Sequence, residues 1–283
     1  YDYIVVGSGS AGCALVGTLA EKTDGNILVI EAGDWDTAAS IEDPRVWFTN
    51  LGTERDWGDV SIPSAGVNGR TIPEHTGRVV GGGSSINATI WSRPIKADMG
   101  HWADVTGDAS WNYEASRDIF KRMENWQGTP NPEFRGTGGP VWVQPANGVL
   151  PLVTATLEAV EQVGLPLTDD LNTDRELTGN GFGLMNQTIK DGRRHSMARA
   201  FLYPALARSN VTLLVNTTVN RIVIEGDTAV GVECLREGET VVFRADRETI
   251  LSAGGFNTPK LMMLSGIGDE ADLKAVNIET AVH

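Results

Sequence analysis

Gly7, Gly9 and Gly12 form a G-x-G-x-x-G pattern close to the start of the chain. In such a pattern each glycine has its own task. Gly7 allows a tight turn. Gly9 lets a pyrophosphate approach the backbone, and Gly12 lets a helix pack closely on a strand. The helix beyond them offers free N–H groups and a positive dipole end to phosphates. Glu31 follows 19 residues after Gly12. A carboxylate there can accept hydrogen bonds from ribose hydroxyls and would repel a 2′-phosphate. A lone glycine turn is common, but here strand, helix, second strand and acid fall in order, which predicts dinucleotide binding. The motif does not choose between NAD and FAD.

A second glycine cluster, GRVVGGGSSINATIW, covers residues 77–91. Its glycines would give the backbone close access to a flat ring or a phosphate. Ser84 and Ser85 are placed to cap a following helix. The four histidines are His75, His101, His195 and His283, and none sits in a motif with an acid–base partner. The cysteines, Cys13 and Cys234, fit no metal-ligand or CxxC spacing and read as reduced core thiols. Trp47, Trp57 and Trp91 read as core or ring-packing residues rather than as an aromatic substrate site.

These residues need a frame. Residues 2–6 and 27–31 read as buried strands and 10–22 as the helix between them, a parallel-sheet signature. The stretch 34–76 is loop-like. From Lys96 to about Pro145 a helix leads into a Gly/Pro-rich connection. Residues 151–163 read as a helix with Pro in its first turn. Residues 196–208 are helix-rich, with a break near Pro204. The runs VTLLV, VNRIVIEG, AVGVECL and TVVFRA then read as an antiparallel meander with turns at Gly226-Asp227 and Gly238-Glu239. Residues 248–252 read as a strand, followed by a helix. The final NIETAVH looks like a strand running off the end, which suggests a fragment.

The bulk numbers set limits. A 283-residue chain allows one large or two modest domains. With 37 acidic and 23 basic residues, the formal net charge of -14 disfavours phosphate backbones, so no nucleic-acid partner is expected. No apolar run has the length of a membrane span. No signal peptide is visible, but the chain begins inside a predicted strand and a leader could have been removed. The compartment stays open, with the cytoplasm preferred.

Taken together, GSGSAG with Glu31, GRVVGGGSSIN with Trp91 and Pro94, GRRHSMARAFL at 192–202 and TILSAGGFNTPKLMMLSGIG at 249–268 resemble the glucose–methanol–choline (GMC) oxidoreductases. The likeness covers nearly the whole chain, as the amino-terminal part of that family. It implies an α/β fold: a Rossmann-like FAD-binding domain, parallel sheet plus antiparallel meander, over 1–95 and 205–283. Residues 96–204 would be an inserted region on the substrate side, and the family's carboxy-terminal part would be absent.

The resemblance also implies a site. Gly7, Ser8, Gly9, Ser10, Ala11 and Gly12 would line the pyrophosphate. Glu31, with Ala32 beside it, would bind the adenosine ribose. Gly77, Arg78, Val79 and Val80, then Gly82, Gly83 and Ser84, would run beside the cofactor. Asn87, Ala88, Thr89 and Ile90 would approach the isoalloxazine, and Val219 the adenine edge. Ala253 and Gly254 would end the strand that returns to the cofactor sheet. Some members tether FAD to a histidine at the place of Ile86. Isoleucine cannot form that bond, so non-covalent FAD is expected. Gly100 stands where the family often has an acid.

The implied reaction is oxidation of an alcohol CH–OH group to an aldehyde or ketone, with hydride transfer to flavin N5. The implied partners are a small alcohol, oxygen or another electron acceptor, and the remainder of the polypeptide or a second chain. The family's catalytic histidine would lie C-terminal to His283, so no catalytic residue is expected in this chain, and no metal. The alternatives are a hydroxynitrile lyase on the same FAD fold and a flavin-binding fragment without activity of its own.

Overall fold

The computed structural model describes residues 1–173 and 177–282. The chain divides into two compact units, Tyr1–Asn87 with Ser196–His283, and Ala88–His195. The sequence predicts boundaries at 95/96 and 204/205. Pairing accounts for the different edges. Ile90–Trp91 pairs with Asn186–Gln187 inside the second unit, and the Ala198–Leu202 turn packs on the first helix of the first unit.

The first unit is built on a four-stranded parallel sheet. Its strands are β1 (Tyr3–Val6), β2 (Ile27–Ile30), β3 (Val211–Leu214) and, further along the chain, one at Glu248–Leu251, in the order β3, β2, β1, Glu248–Leu251. β1 and β2 are short apolar runs, as expected of strands covered on both faces, and every residue of β2 is buried. The register is regular: Ile4 sits beside Leu28 on one side and Thr249 on the other. Helix α1 (Ser10–Lys22) connects β1 and β2 and buries Gly12, Cys13, Val16 and Ala20, one face of its 3.6-residue period.

The VTLLV run does not belong to the meander. β3 pairs with β2 in parallel and extends the main sheet. An apolar run of five residues shows a buried strand but not its partner. The meander itself has three strands, β4 (Thr217–Glu225), β5 (Thr228–Arg236) and β6 (Glu239–Arg244). Its second turn is Glu237-Gly238, with both residues at positive φ, so Glu239 already belongs to β6. Ile4, Val6, Leu28 and Ile30 of the main sheet share one core with Ile222, Val232 and Cys234 of the meander. With Glu248–Leu251 named β7, the helix that follows it is Gly254–Leu264, which adds Leu261 to that core. The break expected near Pro204 appears as a change of winding, from a π-helical turn over Ala198–Leu202 to an α-turn over Tyr203–Leu206. The terminal NIETAVH forms no strand among its described residues, only a bridge between Ile267 and Val282.

The second unit carries the helices Lys96–Thr106, Tyr113–Met123 and Pro151–Gln162 and several two- and three-residue strand pairs. Its centre is ionic. Glu124, fully buried, takes Arg93 on Oε1 at 2.5 Å and Arg135 on Oε2 at 2.9 Å. Arg135 also reaches Asp170 at 2.8 Å, and its guanidinium lies 3.8 Å over the Trp126 ring. Among the described residues, Arg93 and Arg135 thus meet the carboxylates of Glu124 and Asp170, as buried charges require.

Candidate cofactor-binding site

Both glycine clusters, Glu31 and the start of the Gly254–Leu264 helix meet in the first unit around one cavity of about 940 Å³. That is the upper end of the usual ligand-site range of about 300–1,000 Å³ and suits an extended ligand.

The first loop is fixed by its neighbours. Gly7 has φ +95°, and a Cβ there would stand 2.6 Å from the Ser252 carbonyl oxygen at the end of β7. At Gly12 a Cβ would stand 2.1 Å from the Gly7 oxygen, so α1 sits directly on the turn. Gly9 is different. A Cβ there would meet nothing nearer than the Ser252 oxygen at 4.0 Å, and Gly9 lines the cavity. Packing of the protein does not require glycine at 9; a ligand drawn against the backbone would. Gly83, also on the cavity wall, has nothing within 4 Å of its hypothetical Cβ.

The second loop is keyed into the first, backbone against backbone. The Gly81 N–H donates to the Ser8 carbonyl at 2.8 Å, and a Cβ on Gly82 would stand 2.7 Å from Gly9 Cα. Gly77 in turn has the Gly82 carbonyl carbon 2.3 Å from where its Cβ would be. Gly33, which the sequence reading passes over, is required at the same crossing: its Cβ would fall 2.0 Å from the Arg78 oxygen. The signal was present in the glycine two places after Glu31, but its cause lies 45 residues further on.

Glu31 is 6% exposed and lines the cavity. Its Oε2 accepts from the Ser8 N–H at 2.9 Å and the Ser8 hydroxyl at 2.7 Å, and Oε1 accepts from the Gly33 N–H at 2.9 Å. These donors take three of the about four acceptor positions of an ionised carboxylate, and the Ala32 N–H also faces it. Burial raises the Glu31 carboxyl above the usual glutamate value, and the donors from Gly33 and Ser8 pull against it. Beneath the loop, Cys13 is fully buried, and its Sγ donates to the Ser8 oxygen at 3.0 Å. Burial, with Glu31 and Asp36 nearby, pushes that thiol far up.

Of the residues implied by the resemblance, Gly7, Gly9, Ser10 and Ala11 line the cavity on the first loop. Glu31, Ala32 and Val219 line it beside β2 and β4, and Gly77, Gly82 and Gly83 on the second loop. Ala253 and Gly254 do so at the start of the last long helix. Ser8 and Gly12 are buried behind the first loop, where Ser8 holds Glu31. Arg78 lies 5.3 Å over the Trp57 ring, and Val79 and Val80 are buried. Asn87 closes the Gly83–Ile86 helix by donating its N–H to Gly83. Ala88, Thr89 and Ile90 belong to the second unit, where Thr89, at φ +61°, accepts the Thr188 N–H at 2.8 Å.

Two sequence expectations need correction. Ser84 and Ser85 do not cap a following helix. Gly82, at φ +53°, starts the short helix at Gly83, so both serines fall inside it. Ser84 donates to the Gly81 oxygen and accepts the Met197 N–H, and Ser85 donates to the Val80 oxygen. His75 does have an acid partner. Its Nδ1 lies 2.5 Å from Asp56 Oδ2, and Asp56 is buried. His101 is exposed on the Lys96–Thr106 helix, and His195 Nδ1 lies 3.4 Å from the Trp142 N–H. His283 lies outside the described residues.

Fold and cavity define an α/β dinucleotide-binding protein. The family model for GMC oxidoreductases matches residues 1–282, and the chain belongs to that family. An oxygen-dependent choline dehydrogenase of Rhizobium etli is 43% identical over 279 residues, 98% of this chain and 50% of that protein. The crystal structure of pyridoxine 4-oxidase from Mesorbium loti superposes with a TM-score of 0.92 at 31% identity, over 99% of this chain and 55% of that one. An FAD-dependent oxidoreductase from Chaetomium thermophilum gives 0.88 at 29% identity, over 100% and 50%. The chain spans about half the length of the curated relatives it matches. The cofactor is FAD, which resolves the choice that the first glycine motif leaves open.

Proposed function

We propose that this chain supplies the FAD-holding half of an oxidoreductase that oxidises an alcohol CH–OH group to an aldehyde or ketone. The carrying observation is the pair of interlocked glycine loops, with side-chain-free positions at Gly9 and Gly83 facing the cavity beside the acceptor Glu31. Ser10 and Ala11, at the start of α1, would meet the pyrophosphate with unpaired N–H groups and the positive end of the helix. Glu31 would accept a ribose hydroxyl, and Val219 would border the adenine. Asn87 to Ile90 would approach the isoalloxazine. FAD held there supplies the hydride acceptor.

Two points refine this reading. Ile86 is buried against Ile41 and Val79 and has no bond-forming atom, which supports non-covalent FAD. Choline and pyridoxine, named in two of the relatives above, are both alcohols, which favours an alcohol substrate. Those relatives are a dehydrogenase and an oxidase, and they give the lyase alternative no support. The protein's role in chemistry is then to bind, orient and shield the cofactor. The base that removes the hydroxyl proton is assigned to sequence beyond this chain. Acid or heat release followed by chromatography is expected to yield free FAD. A colourless protein that retains only a nicotinamide nucleotide would overturn the reading.

A further inference from the structure

The Asp56–His75 pair is a histidine–carboxylate contact, and His75 stands on the wall of the cofactor cavity. His75, Trp57 and Thr76 all line that cavity. Asp56 side-chain atoms are fully buried, whereas the His75 side chain is 40% exposed. The carboxylate is saturated. Oδ2 accepts the Gly52 N–H at 2.8 Å and meets His75 Nδ1 at 2.5 Å; Oδ1 accepts the Gly58 and Thr76 N–H groups at 3.1 Å each. Burial alone would raise this acid, yet the donors from Gly52, Gly58, His75 and Thr76 hold it below the usual aspartate value. An ionised carboxylate can only accept, so Nδ1 carries a hydrogen. That pins the ring, and no protein group among the described residues takes Nε2.

The backbone joins His75 to the two glycine loops. His75 is two residues before Gly77, which packs on Gly82, which packs on Gly9 at the pyrophosphate turn. The cavity wall carries one other basic side chain, Lys260, against the two phosphate charges of a dinucleotide. Hydroxyl recognition already falls to Glu31.

We propose that His75, held by Asp56, is a phosphate-binding residue of this cavity, its imidazolium donating from Nε2–H to a pyrophosphate oxygen. The inference rests on the FAD reading and deepens it. Because Nδ1–H is committed to Asp56, a neutral ring would offer the phosphate only a lone pair. Binding therefore takes up a proton wherever the ring is neutral beforehand. The other charged groups around it are Glu74 beside it, Asp59 across the short hairpin, Arg78 over Trp57, and Glu31 and Lys260 on the cavity wall. Their direct effects on FAD are common to wild type and a His75 variant, so the ratio reports the ring and its coupling to them.

The test is the FAD dissociation constant of the chain, read by flavin fluorescence at pH 6 and pH 8.5, for wild type, His75→Ala and His75→Gln, with circular dichroism confirming the fold. Loss of one charge-assisted hydrogen bond is expected to weaken FAD about ten-fold at pH 6 in His75→Ala. The gap should be smaller at pH 8.5 than at pH 6, because with Nδ1–H held by Asp56 only a charged ring can donate from Nε2. His75→Gln, an uncharged donor, should recover part of the affinity and show no such narrowing. Equal constants for wild type and His75→Ala, or a ratio that does not change with pH, would overturn the proposal and leave FAD binding intact. A wild-type chain that binds no FAD would remove the parent reading as well.

Discussion

Gly7 and Gly9 are two residues apart and are glycine for opposite reasons. Gly7 is fixed by the protein, through its positive φ and the Ser252 carbonyl against it. Gly9 has an ordinary helix-entry φ of -69° and open space where a side chain would be. Substitution should separate the two. Gly7→Ala is expected to cost at least about 1–3 kcal/mol of stability from backbone strain alone. Gly9→Ala is expected to melt at or above the wild-type temperature, because alanine restricts the unfolded chain by roughly 0.4–1 kcal/mol, and yet to lose FAD. Thermal melts with flavin retention measured on the same samples decide it. Glu31 adds a pH dependence. Its folded value is raised, so the stability it contributes is fully present below the usual glutamate value and is lost as pH rises through the folded one. The cofactor-free chain should therefore melt lower at pH 8 than at pH 5 by this route. Glu31→Gln should flatten that slope and weaken FAD by roughly 1.5–3 kcal/mol, the value of one hydrogen bond to a charged acceptor.

Among the elements, the strand–helix–strand start was legible because hydrophobic period and glycine spacing act over short distances. Sequence bounds of 10–22 for the first helix coincide with those in the structure. The VTLLV run shows a strand but not its partner, since strand pairing is a long-range choice that four or five residues do not encode. The Asp56–His75 pair was invisible for a related reason: its members are 19 residues apart in a stretch without periodicity. The ionic centre of the second unit was equally silent, because Arg93, Glu124, Arg135 and Asp170 come from four separate segments. Glu124→Gln should leave two buried guanidinium groups, Arg93 and Arg135, with Asp170 as their one carboxylate among the described residues. Chemical denaturation is expected to show a loss of about 3–5 kcal/mol, the usual result of breaking a buried pair on one side. A loss under 1 kcal/mol would mean that water reaches the arginines.

For the whole molecule, holding FAD and turning over an alcohol are expected to be separable. The cavity and its two glycine loops lie in the first unit, while no described histidine is assigned as the base that would take the hydroxyl proton. General-base assistance is typically worth about 10²–10⁴-fold. Loaded with FAD and kept without oxygen, the 283-residue chain should be bleached by primary alcohols slower than a polypeptide of the relatives' full length by a factor of that order. Equal bleaching rates would place the base inside this chain and reopen His101 and His195.

The seating of Cys13 has a consequence for watching the molecule open. Its sulfur is sealed under the turn and kept as the unreactive thiol, and Cys234 in the meander is buried with its pKa pushed up to about 12 by burial and Glu233. Alkylation needs a thiolate in contact with solvent, so each cysteine reacts only while its surroundings are briefly unfastened. The pair is a set of two internal clocks, one under the phosphate turn and one in the shared core. A ligand that grips the turn slows the first clock by at least as much as the second.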